Sequence, residues 1–256
     1  MIDTHAHLAA AQFDQDRDGV IKRALEAGVK GILCVLSDLA RLKLFEGLLQ
    51  SHEFMYGAIG IDPFSSDRLA ELSNCLEEAL LASKVAAIGE IGLDYYHRGC
   101  PSSVQKRAFR HQLALARETG LPVIVHCRDA FEETIDVLSE FSDVRGIMHC
   151  FSGTLEQMRL CVELGFYISL AGVVTFPNTA QLAQVCCAIP EERLLVETDC
   201  PYLAPQAVRG QRCEPVHLTH TVAEVASIRG QSVEKVSKLT SHNARQALGI
   251  GEVWAS

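Results

Sequence analysis

Nowhere in the 256 residues does an apolar run reach the roughly 18 to 20 residues that a membrane span requires. The first residues show neither a basic segment nor the apolar stretch of a secretory signal, so a cytoplasmic location is expected. Cys-x-x-Cys pairs are also missing, which removes zinc-ribbon and dithiol redox motifs although ten cysteines are present. Cys34 and Cys161 fall in apolar stretches and Cys186 adjoins Cys187, so these thiols read as reduced and mostly structural. Positive charge is in deficit: 23 Lys and Arg against 32 Asp and Glu leave a net charge of -9. That balance argues against an extended basic groove for long duplex DNA, because non-specific affinity comes chiefly from neutralised phosphates. A phosphate-bearing substrate would need bound metal to supply much of the positive charge. Linkers, low-complexity tracts and short repeats are absent too, so residues 1–256 are expected to form a single domain.

What is present is an ordinary globular composition, 48% hydrophobic and 21% charged, in a regular alternation. Apolar strand-like runs occur at 2–6, 31–36, 54–60, 85–90, 122–127, 146–149, 166–170 and 193–199. Helical periodicity separates them, as at 14–27, where Val20, Ala24 and Ala27 share a face before Gly28, and at 103–119, with Phe109, Leu113 and Ala116. Asp129 with Glu132, and Thr154 with Gln157, stand at capping-box spacing for the helices they precede. Two or three helices are expected between 215 and 248. Eight strands apolar enough for burial on both faces, each followed by a helix, predict an α/β (β/α)8 TIM barrel with extra C-terminal helices. An open doubly wound sheet is the structural competitor, but eight regular units favour closure.

In such a barrel functional groups collect at the carboxyl ends of the strands. The first run ends in His5 and His7, which point to one side because strand residues i and i+2 share a face. The third leads to Asp62, the fourth to Glu90, the fifth to His126, the sixth to His149 and the eighth to Asp199. Four imidazoles and several carboxylates facing one opening would waste their polarity unless cations lay among them. Six ligands exceed what one open catalytic ion takes. His5, His7 and Asp199 are therefore assigned to one divalent ion, His126 and His149 to another, with Glu90 as the bridge. Glu90 and Asp199 are also the expected catalytic groups, Asp199 orienting or deprotonating a water. The donor set leaves Mg, Mn or Zn open.

The same words carry a resemblance. Ile2-Asp3-Thr4-His5-Ala6-His7, Ile88 through Tyr95, Pro122 through Ala130, His149 through Gly153 and Glu197 through Leu203 span nearly the whole chain. In this the sequence is similar to the TatD-type metal-dependent deoxyribonucleases. The resemblance implies a distorted TIM barrel, two divalent metals on the ligands named above, and hydrolysis of phosphodiester bonds, often as a 3'-to-5' exonuclease on single-stranded DNA or RNA. Two departures stand out: Gly60-Ile61-Asp62-Pro63 where relatives carry Gly-x-His-Pro, and Arg212-Cys213-Glu214-Pro215 where they often show Arg-Asn-Glu-Pro. A carboxylate at Asp62 should repel substrate phosphate unless protonated or paired.

Arg128 reads as a phosphate clamp by its fork of donors and by the family pattern, or else as the partner of a rim acid such as Asp94. Tyr95 and Tyr96 either stack a base or pack the loop. Arg209 and Arg212 either meet substrate or decorate the surface. His52, His97, His111, His217, His220 and His242 are read as solvated. The expected substrate is short or single-stranded nucleic acid, with no membrane partner and the chain acting as a monomer. The competing reading is a metal-dependent amide or ester hydrolase, such as an aminoacyl-tRNA deacylase. Many binuclear amidohydrolases bridge their metals with a modified lysine at the end of strand four, and this chain has Glu90 there. A non-catalytic binding protein would be expected to lack ligands, and none of the six is missing.

Overall fold

A computed structural model describes residues 1–97 and 99–251. Eight strands lie in one sheet in chain order: β1 (Ile2–Ala6), β2 (Gly31–Leu36), β3 (Met55–Ile59), β4 (Val85–Asp94), β5 (Val123–Arg128), β6 (Gly146–Met148), β7 (Tyr167–Leu170) and β8 (Leu194–Val196). Every neighbouring pair is parallel. Parallel neighbours require a crossover, and helices provide it: α1 (Arg17–Glu26), α2 (Leu42–Ser51), α3 (Leu69–Ala79), α4 (Ser102–Thr119), α5 (Phe131–Ser139), α6 (Leu155–Glu163) and α7 (Ala180–Ala188). Two further helices, α8 (Leu218–Arg229) and α9 (Val233–Leu248), follow β8, as the periodicity of the tail predicts.

The barrel closes without a regular β1–β8 ladder. His5 O accepts from Asp199 N at 2.9 Å, His7 N donates to Cys200 O at 2.8 Å, and Ala6 and Cys200 form an isolated parallel bridge. The buried Asp3 carboxylate reinforces the seam, taking hydrogen bonds from Thr198 N at 2.9 Å and Thr198 Oγ1 at 2.6 Å. Closure thus runs through the segments that carry His5, His7 and Asp199.

Two apolar clusters flank the sheet. The larger packs the outer strand faces against the helices, with Phe13, Phe45, Phe109 and Phe166 fully buried. In the smaller, Ile2, Leu33, Ala58, Ile124, Ile147 and Leu195 come from six different strands. Side chains from distant strands of a closed sheet meet only across its lumen, so this cluster fills the barrel. Ala244, Ala247 and Leu248 of α9 join it from the amino-terminal end, where α9 acts as a floor.

Several local expectations need correction. β4 does not stop at Glu90 but runs to Asp94, because Gly92 lets β5 approach so closely that a Cβ there would lie 2.0 Å from His126 O. β8 ends at Val196 rather than Asp199, since Asp199 takes a left-handed φ of 59°. Asp129 does not cap α5: it too is left-handed, at φ 53°, and Ala130 occupies the cap position with no side-chain bond. Thr154 and Gln157, by contrast, form the full capping box of α6. All ten cysteines are free, and no helix among the described residues is long and apolar enough to cross a membrane.

Candidate metal centre at the mouth of the barrel

The carboxyl ends of the strands open into a cavity of about 1290 Å3. His7, Asp62, Glu90, His126, Arg128, His149 and Asp199 line it, and His5 lies fully buried beneath. Six of the predicted groups meet within a few ångströms. Glu90 stands among four imidazoles: its Oε1 is 2.7 Å from His126 Nδ1 and 3.1 Å from His149 Nε2, and its Oε2 is 3.5 Å from His5 Nε2 and 3.7 Å from His7 Nε2. Each carboxylate oxygen therefore faces one pair. Asp199 Oδ1 completes the His5–His7 side at 3.7 and 3.4 Å.

No Lys or Arg among the described residues pairs with Glu90 or Asp199. Burial pushes against ionising Glu90, but the positive field and hydrogen bonds of His149, His126 and His5 outweigh it and hold the carboxyl well below its usual range. Asp199 is likewise kept low, chiefly by His7 against burial. The imidazoles respond unequally. Burial and the neighbouring His149 push His5 down, whereas Asp94 and Glu90 overcome burial at His126 and raise it to about 9. These are anionic donors and crowded imidazoles with ring nitrogens on one another, His5 Nε2 being 3.1 Å from His7 Nε2. Such a set suits divalent cations: the groups His5–His7–Glu90 and Glu90–His126–His149 each bring their ligand atoms within 4.8 Å of one another.

Two acids to which the sequence reading gave no role beside the histidines set the orientation of these ligands. Asp94, fully buried, accepts from His126 Nε2 at 3.0 Å, which turns Nδ1 toward Glu90. Glu197, equally buried, accepts from His149 Nδ1 at 3.2 Å and from Cys150 N at 2.7 Å, leaving His149 Nε2 for the cavity. A carboxylate behind an imidazole fixes the tautomer and strengthens the free nitrogen as a ligand. Helix α4 steadies two of the loops concerned. Gln105 accepts from Asp94 N at 2.8 Å and donates to Asp94 O at 2.9 Å, while Gln112, seven residues on, does the same for Ile61 at 2.7 and 2.9 Å. Two glutamines on the buried stripe of an amphipathic helix were the signal available in the sequence.

The remaining predictions divide. Arg128 lies in the cavity wall, but Asp94 is not its partner; the guanidinium sits 4.2 Å above the Tyr96 ring. Tyr95 turns away from the cavity, its hydroxyl donating to Glu133 of α5, so a stacking role falls away from this residue. Asp62 is spent largely on structure: Oδ1 accepts from Ser65 N at 2.8 Å and caps the short 3-10 helix Pro63–Arg68, while burial and the Glu90 charge raise its carboxyl. Arg209 lines the cavity over the Phe176 ring, whereas Arg212 is committed to Asp16 and Glu214. Cys213 is buried beside the Thr198 carbonyl. His97 is no bystander, since Nδ1 is 2.9 Å from Asp94 Oδ2 at the cavity wall. His217 is half-buried and its Nδ1 accepts from Glu214 N, a cap rather than a solvated ring.

A family model described as TatD related DNase matches residues 2–249. An uncharacterized metal-dependent hydrolase of Bacillus subtilis, YabD, is 40% identical over 98% of this chain and 99% of its own length. The 3'-5' ssDNA/RNA exonuclease TatD of Pantoea ananatis is 36% identical over 98% of this chain and all of its own, 100%. Among solved structures, the TatD homolog YJJV of Escherichia coli superimposes with a TM-score of 0.89 at 27% identity, covering 98% of each chain.

Proposed function

The chain belongs to the TatD-related DNase family, and from that premise we propose that it is a 3'-to-5' exonuclease acting on single-stranded DNA or RNA with two bound divalent metal ions. It is a metal-dependent hydrolase of phosphodiester bonds. The observation that carries the fuller reading is the division of Glu90, with Oε1 toward His126 and His149 and Oε2 toward His5 and His7. One ion would be held by His5, His7 and Asp199 and the other by His126 and His149, with Glu90 available to both. Divalent ions held there would supply the charge that polarises a phosphate and lowers the pKa of a water.

The chain's own residues supply the rest. The Asp199 carboxylate, kept ionised by its imidazole neighbours, accepts the proton of the attacking water. Arg128, seated over the Tyr96 ring, presents its fork to a phosphate oxygen next to the His126 side. Asp94 and Glu197 hold His126 and His149 in the tautomers that face inward. The net charge of -9 fits this division of labour, in which the cations rather than a basic surface meet the phosphates.

The test is an incubation of end-labelled single strands, duplexes and an aminoacyl ester with the purified protein and Mg, Mn or Zn. A chelator and Glu90→Ala serve as controls. Mononucleotides should leave one end of the single strands in a metal-dependent way. Hydrolysis of the aminoacyl ester without nucleotide release would replace the exonuclease reading with the deacylase one.

A further inference from the structure

Seven large apolar side chains stand exposed among the described residues, and they sort by chemistry. The four aliphatics, Leu25, Leu81, Leu160 and Val233, lie on outer helices or just beyond one. The three aromatics, Phe64 on the short 3-10 helix after β3 and Tyr96 and Tyr202 on the loops after β4 and β8, all lie at the mouth. Scattered exposed apolar residues are normal, but exposed aromatics gathered around one opening call for a ligand.

Tyr96 already carries the Arg128 guanidinium on its face. The other two line the cavity and keep much of their surface open, 42% for Phe64 and 52% for Tyr202. Phe64 meets the rings of His97 and His126 at 76° and 68°, and Tyr202 meets His7 at 72°, so neither is stacked face to face on these neighbours. Their positions match the two halves of the ligand set. Tyr202 is 5.9 Å from the His7 ring, and Phe64 is 6.1 Å from the His126 ring. A phosphodiester held over Glu90 would send one nucleoside toward each aromatic.

Building on the exonuclease reading, we propose that Phe64 and Tyr202 are stacking platforms for the two nucleobases that flank the scissile phosphate. Each base gives one face to an aromatic ring, which every base can do, so sequence matters little. At the end of a duplex the penultimate base has both faces occupied by its neighbours, and it must be unstacked before it can use a platform. Stacking on the two rings then favours single strands over duplex.

The test uses the holoenzyme and single strands with one abasic residue immediately on either side of the bond to be cut. For the parent enzyme each abasic residue should raise KM about tenfold or more, with kcat nearly unchanged, as loss of one base–aromatic stack predicts. Phe64→Leu should abolish one of the two penalties and Tyr202→Leu the other. Phe64→Tyr and Tyr202→Phe should keep both. Equal cleavage of intact and abasic strands by the parent overturns the platforms while leaving the exonuclease in place. A penalty on one side alone, or penalties that persist in both leucine variants, also overturns them. Failure of the parent to cut the intact strand removes the underlying reading and the platforms with it.

Discussion

The two ends of the barrel handle the same backbone problem differently. At the floor, helices end on glycines: Gly28, Gly120 and Gly165 take positive φ after α1, α4 and α6, and Gly230 and Gly249 do so after α8 and α9. At the mouth, Asp129, Cys150, Asn178, Asp199 and Leu203 take positive φ with side chains attached, each in a loop that follows a strand. A left-handed non-glycine residue costs about 1 to 3 kcal/mol. The floor avoids that cost and seals the lumen with Ala244, Ala247 and Leu248, while Asn243 donates to Glu191 O at 2.7 Å and Leu194 O at 2.9 Å. The mouth accepts it and buries Glu90, Asp94, Glu197 and Asp199 besides. Left-handed residues that carry side chains and buried carboxylates thus collect at the mouth.

This contrast is sharpest at Glu90. Glu90→Ala should lower activity by at least about 1,000-fold, or about 4 kcal/mol of barrel-mouth chemistry. Bound metal, counted by elemental analysis, should fall below two ions per chain; two ions at full occupancy would end the bridging assignment. The reverse experiment belongs to the floor. Leu248→Ala should cost about 2 to 5 kcal/mol of stability in urea unfolding, with kcat and metal content unchanged. A large loss of activity in the folded variant would mean that the two ends are coupled.

Between these extremes lies Asp94, which touches a proposed ligand without being assigned as one. Asp94→Asn should weaken metal affinity or activity by about 10- to 100-fold, because His126 loses the acceptor that sets its tautomer. An unchanged metal titration would show that His126 needs no such support. The smallest effect is expected at Arg212, which ties the loop after β8 to Asp16 and Glu214. Arg212→Ala should cost about 1 kcal/mol at neutral pH. Burial opposes ionisation of Glu214, yet Arg23 and Arg212 lower its carboxyl overall. A group depressed in the folded state stabilises above its unfolded value of 4.5 and loses that contribution as pH falls through the folded one. The gap between parent and variant, followed by urea unfolding across pH, should therefore narrow as pH falls below 4.5; a constant gap would assign the effect to packing on Phe13 instead.

How much was legible depended on distance along the chain. His5 and His7 could be paired on one face from spacing alone, and strand ends in a predicted barrel brought Glu90, His126, His149 and Asp199 toward them. Asp94 and Glu197 could not be assigned in that way, because a carboxylate near a strand end looks the same whether it binds an ion or stands behind a histidine. Tyr95 and Tyr96 were equivalent as letters, yet one hydroxyl went to Glu133 and the other ring received Arg128. The Asp129 cap failed for a related reason: a capping box read from spacing assumes an extended residue at its start, and the turn out of β5 is left-handed.

Periodicity, turn chemistry and the positions of histidines are local properties, and they were enough to specify eight strands, the helices between them and the residues that gather at one end. The division of Glu90 between two imidazole pairs, the acids behind His126 and His149, and the aromatic rings left open beside them belong to the folded molecule. They depend on register, rotamer and curvature across a closed sheet. No spacing along the chain encodes these, because side chains on different strands and loops meet only when the barrel closes.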